Sequence, residues 1–77
     1  MSQQVIDAIV AAINDKLPGA QAEVNGGQGH YTIAVTSDAF AGKSMVQSHQ
    51  LVYQAIAHLM KGEGAPVHAI DRLVTTH

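Results

Sequence analysis

Gly29-His30-Tyr31-Thr32-Ile33-Ala34-Val35-Thr36-Ser37-Asp38-Ala39-Phe40-Ala41-Gly42-Lys43-Ser44 is the stretch that decides the fold. Tyr31, Ile33 and Val35 alternate with His30, Thr32, Ala34 and Thr36, the period of two of a half-buried strand, and the β-branched and aromatic content suits a pleated surface. Ser37 and Asp38 then offer capping side chains for a short helical turn over residues 38–40. Phe40, the single phenylalanine, is expected to pack beneath that turn. Gly42 suits its end if φ there is positive, and Ser44 caps a longer helix. A strand thus leads through one short turn into a helix.

Upstream, Asn25-Gly26-Gly27-Gln28-Gly29 reads as a hairpin turn, and Ala20, Ala22 and Val24 mark a short strand pairing antiparallel with the one that follows. Val5, Ile6, Ile9, Val10, Ile13 and Leu17 recur at spacings of three and four. The spacing predicts an amphipathic helix over residues 3–16, capped by Ser2 and stopped at Leu17-Pro18-Gly19. Downstream of Ser44, Met45, His49, Val52, Ile56 and Leu59 hold one apolar stripe that Val46, Tyr53 and Met60 widen. The helix ends at Gly62-Glu63-Gly64-Ala65-Pro66, and residues 67–76 form a third strand. Strict alternation in that strand would leave Arg72 on the face of Ile70 and Val74. Either that face is partly exposed, or a bulge after Asp71 returns Leu73 to the core. The order is α-β-β-α-α-β, an α+β domain spanning residues 1–77 with a three-stranded sheet.

The 77 residues are 47% hydrophobic and 13% charged, which suits one small packed core. With no cysteine, disulfides, thiolate metal sites and thiol nucleophiles are excluded, so any metal must use imidazole, carboxylate or borrowed ligands. Four basic against six acidic residues, a net charge of -2, disfavours a broad phosphate-tracking surface. The apolar run through residues 9–13 is far below the roughly 20 residues of a membrane span. The opening residues lack the basic region of a secretory signal, so the expected compartment is the cytoplasm.

Asp7, Asp15, Glu23 and Asp38 show no spacing that brings two carboxylates together for acid–base work. Ser37, Ser44 and Ser48 lack a nucleophile elbow. Gly26-Gly27-Gln28-Gly29 has the form of the G-x-x-G loop with which KH domains grip RNA, but it joins two strands rather than two helices. No enzyme is indicated. Five histidines are the compositional oddity. His58 and His77 are expected to face solvent, and His49, on the apolar stripe, to be a core histidine. His30 opens the second strand and His68 the third. Side by side in one sheet, they would approach each other at an edge, too few for a closed zinc site but suited to one completed by a partner.

Gly29-His30-Tyr31, the segment Val35 to Ser44, His49-Gln50-Leu51-Val52-Tyr53 and Val67-His68-Ala69 together resemble the BolA-like family in order and spacing, over about 60% of the chain (residues 24–69). The resemblance implies a type II KH-like topology with helices packed on one face of the sheet and no G-x-x-G loop. It also implies a monothiol glutaredoxin partner, with a labile [2Fe–2S] cluster held between glutaredoxin, glutathione and this chain. His68 matches the family's C-terminal histidine ligand, and His30 is the nearest match to its loop ligand in a histidine-type branch. Departures are the short glycine loop, Ser48 where the family often has Arg, and a short C-terminus. The expected role is iron–sulfur trafficking or iron and stress sensing, with no cluster on the isolated chain, which would be a monomer or weak homodimer. The rival is a KH-like nucleic-acid-binding transcriptional regulator, which requires Lys43, Lys61 and Arg72 to gather on one face. A third reading is an interaction domain without a cluster.

Overall fold

The computed structural model describes residues 2–62 and 64–77. Helix α1 (Ser2–Lys16) leads to strands β1 (Gln21–Gly27) and β2 (His30–Thr36), a 3-10 turn (Asp38–Phe40), helix α2 (Met45–Met60) and strand β3 (Ala69–Thr76). The sheet order is β1-β2-β3, with β1 antiparallel and β3 parallel to the central β2. Both helices lie on the face presented by Tyr31, Ile33 and Val35, where Ile9, Ile13, Val52 and Ile56 are fully buried beside Phe40. The other face, carrying His30, Thr32, Ala34 and Thr36, is open to solvent.

Local chemistry explains the elements. Leu17 and Gly19 close α1, the glycine at φ +84°, while the capping expected of Ser2 falls outside the described side chains. The Ser37 hydroxyl accepts from the Ala39 N–H at 3.1 Å. The Ser44 hydroxyl accepts from the Gln47 N–H, and the Gln47 side chain accepts from the Ser44 N–H, a reciprocal box that fixes the start of α2. Gly42 has φ +76°, and a Cβ there would meet open space. Gly42→Val is therefore expected to lower unfolding free energy by about 1–2 kcal/mol through backbone strain alone, as read by urea denaturation.

Two expectations need correction, and a choice left open by the sequence is decided. The hairpin turn is only Gln28-Gly29, both at positive φ, because β1 continues through Asn25, Gly26 and Gly27 in full register with β2. Two residues with positive φ give the turn the twist that antiparallel strands need. In β3 the ladder steps from Tyr31↔Ile70 to Thr32↔Arg72, so Asp71 is bulged out. Ile70 and Leu73 then pack on the core while Arg72 faces solvent, which selects the bulge over simple exposure.

The second correction concerns α2. Its buried face is Ser48, Val52, Ala55 and Ile56, whereas Met45 is 72% exposed and His49 only half-buried. Both stripes have the helical period and share Val52 and Ile56. Packing selects the one in which small Ser48 and Ala55 let the helix approach its neighbours. Ser48 is thus a buried residue, not part of a surface. His49→Ala is expected to cost less than about 1 kcal/mol, below the typical core truncation, and a two-state denaturation curve checks it.

Candidate functional site

The parallel ladder brings the two singled-out histidines to one end of the sheet. His30 is paired with Ala69, and the Gly29 carbonyl accepts from both the His68 N–H (2.8 Å) and the Ala69 N–H (2.9 Å). One carbonyl therefore fixes the entry of β3 beside the hairpin turn. The three-residue approach from Pro66 to His68 is anchored again where the Val67 N–H donates to the Leu59 carbonyl at 3.2 Å, with the Val67 side chain buried.

The rings themselves are placed differently. Gly29 is buried with φ +85°, and a Cβ built there would fall on the His68 ring. The His68 imidazole lies directly against the Gly29 backbone, although the residue as a whole is exposed. His30 turns the other way. Its Nδ1 lies 3.1 Å from the Asp71 Oδ1, with both side chains more than half exposed. Successive strand residues face opposite sides of a sheet, so His30 sits on the open face with Thr32, where Asp71 meets it, whereas His68 lies just before β3 with its ring against Gly29. The expected shared edge exists, but the His30 ring points to Asp71 rather than to His68.

Both rings offer nitrogen donors suited to iron and both can be reached from solvent. Among the described residues no three or more His, Cys, Asp or Glu side chains group closely enough to hold a metal ion. The residues fit a share of a site that a partner completes. Asp71 and Gly29 were not singled out from the sequence as parts of the site. The misfit of Arg72 in strict alternation pointed to the bulge that frees Asp71, and Gly29 is the last glycine before His30.

The remaining candidates do not join this end. His58 and His77 are exposed, as expected. Phe40 is buried in the core and Gly42 shapes the turn before α2, both structural. Lys43 precedes α2 and Lys61 follows it, separated by a helix roughly 24 Å long at 1.5 Å per residue, while Arg72 lies on the open sheet face with Thr32 and Val74. The three cations do not gather on one face. Affinity for a random-sequence DNA duplex is accordingly expected to be no tighter than about 10⁻⁴ M at physiological salt, and fluorescence anisotropy across a salt series checks it.

The sequence matches the family described as BolA-like protein over residues 4–77. It is 40% identical to human BolA-like protein 1 over 52 residues, which is 68% of this chain and 36% of that protein. The chain thus spans about a third of the length of the curated relatives it matches. Among solved structures it superposes on the BolA domain of SufE1 from Arabidopsis thaliana with a TM-score of 0.75 at 27% identity, covering 91% of this chain and 87% of that one. The solution structure of the BolA1 protein from Mus musculus gives a TM-score of 0.71 at 30% identity, covering 94% of this chain and 64% of that one.

Proposed function

The chain belongs to the BolA-like family, and from that premise we propose that it is a cytoplasmic, non-enzymatic partner of a monothiol glutaredoxin that supplies histidine ligands to a shared [2Fe–2S] cluster. The observation that carries this reading is the placement of His68. Its backbone is fixed by the Gly29 carbonyl and its ring is laid against the Gly29 backbone, yet it remains open to solvent at the end of the sheet. A ligand held by the fold and reachable from outside suits a site whose other half arrives on a second protein. His30, at the same end, is the second ligand.

Imidazole is neutral where thiolate is anionic, so histidine on one iron raises the cluster's potential, as in Rieske-type centres. Such a cluster is suited to handing on iron and sulfide or to reporting their supply. This chain's residues do the positioning: β2 carries His30, the entry to β3 carries His68, and the core beneath Tyr31 keeps the two strands together. Thiolates come from glutaredoxin and glutathione, since this chain has no cysteine.

The test is to mix the purified protein with a monothiol glutaredoxin, glutathione, iron and sulfide, and to record visible absorption and circular dichroism after gel filtration. Co-elution with cluster bands absent from either protein alone supports the reading. Co-elution without altered bands would instead leave an interaction domain that carries no ligand.

A further inference from the structure

We propose that Asp71 is a positioning residue for His30: it fixes the ring in the tautomer with hydrogen on Nδ1, leaving Nε2 as the free donor nitrogen. The 3.1 Å contact joins His30 Nδ1 to Asp71 Oδ1, and an ionised carboxylate can only accept. Nδ1 must therefore carry the hydrogen, and the lone pair lies on Nε2 at the far side of the ring. The ladder explains why a residue 41 positions away is available. His30 pairs with Ala69, so Asp71, two residues on, is its diagonal neighbour on the open face. Asp71 is also the bulged residue, with no partner on β2, and its side chain leans back over the start of the strand.

An exposed pair of this kind adds little to stability, and its consequence is orientational. A histidine whose second nitrogen is held by a carboxylate is fixed in rotation and presents a more basic donor, the arrangement found behind metal-binding histidines. That His30 contributes to a metal site rests on the function proposed above. The tautomer does not, and it is read on the chain alone.

The experiment is long-range ¹H–¹⁵N correlation spectroscopy of the histidine rings in the isolated protein, at a pH where the rings are neutral. His30 is expected chiefly as the Nδ1–H form, the reverse of free histidine. Asp71→Ala is expected to return it to mainly Nε2–H, while Asp71→Asn, which keeps an acceptor oxygen, holds part of the Nδ1–H population. The His68 ring serves as the internal control and is expected not to change. Finding His30 as Nε2–H in the wild type, or an unchanged ring in Asp71→Ala, would overturn the proposal. In the glutaredoxin complex, cluster dichroism altered by both His30→Ala and Asp71→Ala would support the positioning role. Bands altered by His30→Ala but untouched by Asp71→Ala would refute that role. Bands untouched by both would remove His30 from the ligand set and leave the tautomer result standing.

Discussion

Gly29→Ala is expected to destabilise the protein by about 1–3 kcal/mol, the range for a residue held in a backbone region closed to its side chain, and to displace the His68 ring. Two separate costs are involved. The backbone at Gly29 has φ +85°, and the new Cβ would fall on the His68 ring, with Cγ only 2.9 Å away. Because the near end of that ring is struck, a small rotation of its tip gives no relief, and the imidazole has to leave the Gly29 backbone. A double-mutant cycle separates the costs. In a His68→Ala background the steric part disappears while the strain at Gly29 stays, so the second substitution should cost less than the first alone. Urea denaturation of the four proteins measures the energies, and the His68 ring resonances report the displacement. Equal costs in both backgrounds would show that the ring does not rest on Gly29.

Much of this arrangement was legible in the sequence because it depends on local chemistry. Alternation from Tyr31 to Val35, the caps at Ser37 and Ser44 and the glycine at position 42 all act within a few residues, and each appears where expected. What failed depends on contacts between distant segments. Asn25, Gly26 and Gly27 read as a turn by composition, yet pairing with Thr32, Tyr31 and His30 draws them into β1. In α2, apolarity alone favoured a stripe through Met45 and His49. Helix packing instead buried Ser48 and Ala55, because close approach rewards small side chains as well as apolar ones. The bulge lies between these cases. Arg72 disclosed a conflict with strict alternation, but only the register with β2 shows that Asp71 is the residue left over and that its carboxylate falls beside His30.

His68→Ala is expected to abolish the cluster shared with a monothiol glutaredoxin, whereas His30→Ala weakens or alters it. The asymmetry follows from how each ring is held. The His68 N–H and the next one both bond to the Gly29 carbonyl, and its ring lies on the Gly29 backbone, so strand entry and ring are fixed together. His30 is tied through one nitrogen to an exposed carboxylate on the open face, a looser mounting whose loss leaves the His68 side of the site in place. Neither substitution should unfold the chain, since both side chains are exposed, and circular dichroism in the far ultraviolet verifies that each variant is folded before its complex is judged. The isolated chain should bind no cluster in any variant, because two imidazoles leave most of the coordination of two irons open. Visible spectra of each variant mixed with glutaredoxin, glutathione, iron and sulfide provide the measurement. A wild-type spectrum from folded His68→Ala would remove this histidine from the site and with it the observation on which the proposed function rests.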